Sequence, residues 1–307
     1  MITYLFRSTK NKKAARRKIF RPGTWILAEN PKASEIKKLA EKFSVNEDLL
    51  KDALDIHEVP RIEKDERGVT YVFVRTPVFE NGNILTNPML VVIGSDFIMT
   101  VSKKKIPFLE KFIKGKIDFF TTQRAKLFFQ IFLEINLQYG EILNDIRRDM
   151  LKVSIDVRNV NNEDVVQFVI FENAINEFLS ALVPLNAVLE TLLSGKFFTL
   201  YEKDRDLIED LYLSNRQLIE LSKSNLKTIV NIRDAYSTIL TNNLNRIIKL
   251  LTSLTIVFTV PTIVASFYGM NVNLPLQENP FSFWIVLAIT GLFSLSLLFF
   301  FKKRDWL

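Results

Sequence analysis

Two uncharged apolar runs close the chain, Leu250 to Gln277 and Asn279 to Phe301. Each is long enough to cross a bilayer core of about 30 Å, which takes roughly 20 residues of helix. The first run carries a second pattern. Asn245, Thr252, Thr259 and Ser266 recur every seven residues, and Thr255, Thr262 and Gly269 form a companion row. On a helix these make one narrow face of small or hydroxylated residues, while Leu, Ile, Val and Phe fill the other faces. The second run has no such stripe: Gly291, Ser294 and Ser296 stand isolated among Phe and Leu. The pattern predicts a first span with a polar stripe and a second span outside it, facing lipid.

Upstream the pattern is that of a water-soluble domain. Met1 to Arg7 alternates loosely, as at a sheet edge, and Thr24 to Ala28 reads as a short strand. Asn30-Pro31 offers an N-cap and a first-turn proline for a helix to about Phe43. Asn46 caps a second short helix to about Asp55, with Glu47 and Asp48 at its positive end. From Val59 to Ser102 strands take over. Val69 to Phe79 is β-branched and aromatic, Asn81-Gly82 is a hairpin turn, and two further strands flank Gly94-Ser95-Asp96. The expected fold class is an α/β domain with a mainly antiparallel sheet.

Beyond about Ile106 the sequence is helical. Lys116 to Tyr139, Glu141 to Val183 and Lys196 to Val260 each lack Gly and Pro. Asn159 to Asn162 marks a turn between two antiparallel helices, with Asn162 as the cap of the second. Apolar residues then recur at mixed three-and-four spacing from Leu211 through Ile232 to Leu251, one long stalk helix continuous with the first span. At 1.5 Å per residue, 65 residues of helix extend about 98 Å, so this helix needs neighbours, copies of itself included. The expected division is 1–115 for the α/β domain, 116–200 for the antiparallel helices and 201–268 for the stalk and first span, about 250–268. A loop at 269–280, a second span at 281–301 and a tail at 302–307 follow.

Charge sets the topology. Arg246 and Lys249 precede the first span, and Lys302-Lys303-Arg304 follow the second, so both termini are expected in the cytoplasm of a multi-pass protein of the cell (plasma or inner) membrane. The loop then faces outward, with Glu278 as its only charge, and Trp284 and Trp306 anchor the two interfaces. A net charge of +7 invites nucleic acid as a partner. A two-span protein needs those basic residues at its cytoplasmic edge, and no nucleic-acid motif stands out. The chain has no cysteine and one histidine, His57, which excludes disulfide frameworks and Cys/His metal sites. No phosphate-binding glycine loop appears, which argues against an ATP-driven pump.

The stripe ends at Gly269-Met270-Asn271, where a turn between two spans puts a neutral amide oxygen at a membrane surface. Small-residue faces also let membrane helices pack closely, and for the stripe alone that reading and a pore lining weigh equally. Two spans cannot enclose a water path, so any pore needs a closed ring of copies, with the turn repeated around its mouth.

Tyr268-Gly269-Met270-Asn271 between two terminal spans, with the ending Lys302-Lys303-Arg304-Asp305-Trp306-Leu307, resembles the CorA family of divalent-cation transporters. The resemblance covers nearly the whole chain, including Asp55 to Glu63 before the sheet and Asn245 to Asn271 in the stalk and pore helix. It implies a homopentamer in the bilayer, no enzyme activity and no organic cofactor, with potential-driven Mg2+ uptake and Co2+ or Ni2+ tolerated. Gly269, Met270 and Asn271 would form the selective entrance, and Asn245, Leu251, Thr252, Thr255, Thr259, Thr262 and Ser266 would line the path, with Leu251 at its hydrophobic constriction. It also implies a regulatory cytosolic Mg2+ site between subunits, at Asp52 and Asp210; Asp234 would line the stalk interior. Thr259 departs from the larger apolar residue familiar there, and Pro261 is shifted by one. A zinc transporter of the same superfamily, which can couple to protons, and a membrane-anchored helical scaffold are the alternatives.

Overall fold

A computed structural model describes residues 2–9, 14–80, 82–154, 162–197, 202–276 and 278–306. It divides into two compact units, Met1–Ile232 and Arg233–Leu307.

The first unit is built on a sheet of seven strands: β1 (Ile2–Phe6), β2 (Ala15–Arg17), β3 (Thr24–Glu29), β4 (Arg61–Lys64), β5 (Thr70–Glu80), β6 (Asn83–Ile93) and β7 (Phe97–Ser102). Their order is β2-β1-β3-β7-β6-β5-β4. Every neighbouring pair is antiparallel except β3 and β7. Alternation along β3 sends Trp25 and Leu27 into one core and Ile26 and Ala28 into another. Helices α1 (Ala33–Phe43) and α2 (Glu47–Asp52) cover the second face with Ile36, Leu39 and Leu50. Helices α3 (Leu109–Ile113), α4 (Arg124–Ser154), α5 (Asn162–Leu193) and the start of α6 (Glu202–Tyr268) share the first core. Burial on both sides explains why β3, β5 and β6 read as near-continuous apolar runs.

Several local expectations shift. Asn30 takes a left-handed φ of 45° instead of capping α1, because its N–H still pairs with the Ser102 carbonyl of β7 at 2.8 Å. The cap falls at Lys32, whose N–H donates to the Glu35 carboxylate at 2.9 Å. Helix α4 starts at Arg124 and not at 116, since Phe119 leaves the helical path to meet Trp25 and Phe112 edge-on. Helix α5 runs through Pro184 to Leu193, held by buried Leu182, Leu185 and Leu189. Asn46 caps α2 as expected, accepting from the N–H groups of Asp48 and Leu49, although α2 ends at Asp52 and not near Asp55. Strands β5 and β6 pair up to Glu80 and Asn83 around Gly82 at φ 79°; Asn81 and Asn159 to Asn161 lie outside the described residues. Three buried amides fix helix register: Asn136 donates to Leu211 O, Asn215 to Leu182 O and Asn225 to Leu143 O.

The second unit holds the rest of α6 and α7 (Ser282–Lys303). Among the described residues, α5, α6 and α7 are each long and apolar enough to cross a membrane. Burial separates them: 44% of the apolar window of α5 lies inside the protein, against 11% for α6 and 6% for α7. Helix α5 is apolar because it is core; the apolar windows of α6 and α7 have little protein over them, the state of helices that meet lipid.

Candidate functional site: the polar face of α6 and its loop

In the single chain the whole predicted lining is exposed: Asn245, Leu251, Thr252, Thr255, Thr259, Thr262 and Ser266, then Gly269, Met270 and Asn271. Thr255 Oγ1 donates to Leu251 O at 2.8 Å, Thr259 Oγ1 to Thr255 O at 2.7 Å and Thr262 Oγ1 to Phe258 O at 2.9 Å. Each of these hydroxyls spends its one proton on its own helix, so only lone pairs face outward. The result is a column of acceptors, suited to cations and to the water around them.

The opposite side of α6 is the protein-facing one. Ser253 and Val257 are buried, and Pro261, Val264, Ala265, Tyr268 and Gly269 line an apolar cleft of about 570 Å³ shared with Ser282, Phe283 and Val286 of α7. At about 100° per residue, Val257 and Pro261 lie about 160° around the helix from Thr259, and Val264 about 140°. The stripe from Thr252 to Ser266 therefore points away from α7, while Gly269 at its end borders the cleft. Pro261 lies inside the helix and has no N–H to give the Val257 carbonyl.

After Tyr268 the chain leaves the helix through Gly269, whose N–H still reaches Ala265 O at 2.9 Å. A Cβ there would meet that same carbonyl at 3.3 Å, so a larger residue is crowded. The Tyr268 hydroxyl donates to Pro275 O at 3.1 Å and bends the loop back. Asn279 Oδ1 accepts from Phe281 N at 3.0 Å, and the Ser282 hydroxyl donates to Leu276 O and Asn279 O, fixing the entry to α7. Glu278 is exposed. At the far end Lys302 and Lys303 fill the last turn of α7, Arg304 lies over Phe300, and Trp306 stacks on Phe301 at 5.5 Å.

The CorA-like Mg2+ transporter protein family matches residues 23–303. The chain belongs to this family. The cobalt/magnesium transport protein CorA of Methanocaldococcus jannaschii is 28% identical over 291 residues, 92% of this chain and 91% of the relative. That of Thermotoga maritima is 22% identical over 295 residues, 92% and 83% of the two chains. The complete structure of the CorA magnesium transporter from Methanocaldococcus jannaschii matches with a TM-score of 0.87, covering 100% of this chain and 99% of that one at 26% identity. CorA proteins are ion transporters, not enzymes, and the match is full-length.

The two carboxylates expected in a CorA regulatory site do not meet within one chain. Helix α2, which ends at Asp52, belongs to one core, and the part of α6 around Asp210 belongs to the core on the other face of the sheet. Asp52 Oδ2 accepts from Arg61 Nη2 at 2.8 Å. Beside it, the Lys51 ammonium donates to the Glu47 and Asp48 carboxylates, which hold its pKa above the usual value. Asp210 lines a cavity of about 1110 Å³ with Arg67, Arg124, Lys126, Asp204 and Asp206. Among the described residues no group of three His, Cys, Asp or Glu side chains is arranged to hold a metal. Asp234 and His57 are exposed. Sequence reading missed the central place of Arg61. Its signal was present as acidic residues at 52, 58 and 63 around one arginine, but only the fold shows all three meeting it.

Proposed function

We propose that the chain forms a homopentameric channel for Mg2+, also passing Co2+, driven inward by the membrane potential. The observation that carries the reading is the exposed acceptor column of α6, which turns away from α7 and ends at exposed Gly269-Met270-Asn271. A ring of copies would bring these columns together around one path, and the family resemblance supplies the number five. Mg2+ releases its water reluctantly, and neutral amide and hydroxyl oxygens can bond to its hydration shell without stripping it. Copies of Asn271 are the first ring a hydrated ion meets, and Leu251, 64% exposed in the single chain, is a constriction able to close by dewetting. An inside-negative potential supplies about 4.6 kcal/mol per 100 mV for a divalent ion, twice the single-charge value. Basic flanks place both termini in the cytoplasm and the 269–280 loop outside. Asp52 and Asp210 of neighbouring copies bind cytosolic Mg2+, which holds the ring shut and gives feedback.

Reconstituted liposomes test the pore. We expect Mg2+ influx under a negative interior potential, abolished by Asn271→Ala with the protein still inserted. Undiminished flux in that variant removes Asn271 from the pore mouth, and Zn2+ flux that follows a pH gradient in preference to Mg2+ flux would favour the zinc alternative.

A further inference from the structure

The loop between α2 and β4 is organised around one guanidinium. Arg61 on β4 stands opposite Phe73 on β5, and its guanidinium carbon lies 4.0 Å from the ring centroid. All three nitrogens reach carboxylates: Nε to Glu63 at 2.6 Å, Nη2 to Asp52 at 2.8 Å and Nη1 to Glu58. Arg75 grips the same loop from behind, donating to Ile56 O at 2.9 Å and Glu58 O at 2.7 Å. One positive charge thus serves three negative ones, in a geometry set by strand register. The Asp52 side chain remains 43% exposed, so a cation arriving from outside can reach it.

We infer that Arg61 is a resident cation at the regulatory carboxylate: it holds Asp52 within the chain and sets the Mg2+ concentration at which closure occurs. This rests on the regulatory reading of Asp52 above. A divalent ion bridging two copies shares the Asp52 carboxylate with the guanidinium, whose positive charge opposes it, so the site binds more weakly than a free carboxylate would. Without the guanidinium, Asp52, Glu58 and Glu63 repel one another and a divalent ion relieves them. Lys at this position keeps the charge but cannot engage three carboxylates in one plane.

The test measures potential-driven Mg2+ influx into liposomes holding the full-length protein, as a function of internal Mg2+. Arg61→Gln should lower the half-inhibiting concentration about two- to five-fold, the range that a partly exposed ion pair supports. Arg61→Lys, the safer variant for folding, should lower it by less. In the presence of Asp52→Asn, Arg61→Gln should add nothing. If Asp52→Asn alone moves the curve but neither Arg61 variant does, the latch is refuted and Asp52 keeps its role. If Asp52→Asn moves nothing, the regulatory reading of Asp52 fails and the latch with it. A purely structural Arg61 would lower thermal stability and leave the inhibition curve in place.

Discussion

Thr259→Val separates a pore lining from a helix contact. The substitution keeps the β-branched shape and replaces one hydroxyl by a methyl. Thr259 Oγ1 donates to Thr255 O at 2.7 Å, so the hydroxyl offers the path lone pairs and no proton. The helix itself should hardly notice, since Val and Thr have similar helix propensities. What is lost is one acceptor per copy for the water around a passing ion, worth about 0.5–1.5 kcal/mol as a neutral hydrogen bond. At about 1.36 kcal/mol per factor of ten, even one copy's worth added to the barrier slows flux roughly two- to thirteen-fold. A ring places the loss at every copy, so we expect at least a tenfold fall in Mg2+ influx at matched protein density in liposomes. Thr290→Val is the control. Its hydroxyl makes the same bond, 2.7 Å to Val286 O, but on α7 and toward the cleft. Flux should survive that change. If Thr259→Val conducts within twofold of the wild type, the stripe is packing and the pore lies elsewhere.

Two predictions concern the soluble unit. Asn225→Ala removes the buried bond from Nδ2 to Leu143 O at 3.1 Å and should cost about 1–3 kcal/mol, read as a lowered unfolding midpoint in detergent; an unchanged midpoint would show that α4 and α6 hold register without it. Burial pushes the Tyr71 hydroxyl from 10.0 up to about 12, so its stabilising contribution is intact below pH 10 and is lost as pH rises toward 12. Stability should fall across that window while the Tyr71 hydroxyl of the folded protein is still protonated, and Tyr71→Phe should flatten that part of the fall; an equally steep fall in the variant would assign it to other groups.

What the sequence made legible follows from which forces act locally. The hairpin at 80–83, the Asn46 cap and the two unprotected apolar helices each depend on neighbours within a few residues, and pattern finds them. The α/β class followed from the same signals, and the sheet proved mainly antiparallel. The parallel pairing of β3 with β7 was hidden, since those strands lie about seventy residues apart and meet only in the sheet. The early start expected for α4 failed for a related reason: Phe119 has a helical neighbourhood but a better place beside Trp25, a contact between distant segments. The stripe of α6 was readable as spacing, but its direction was not. That needed Ser253 and Val257, which look like any other span residues until burial marks their side as the covered one.

The same distinction bears on the departure at Thr259. In a column of exposed acceptors a threonine at this position continues the run from Thr252 and Thr255 to Thr262 and Ser266, whereas a large apolar residue would interrupt it. The path proposed here is therefore polar from Thr252 to Asn271, and its hydrophobic narrowing is left to Leu251 near the base of the span. Dewetting needs an apolar ring with water on both sides; Leu251 has Thr252 and Thr255 above it and Asn245 and Thr241 below, all exposed. A gate at that level lies nearer in sequence to Ile232, where the soluble unit ends, than the mouth does. On the proposed reading, closure driven from Asp52 and Asp210 would have to turn α6 by no more than is needed to bring copies of Leu251 together, leaving the Asn271 ring in place to hold an ion.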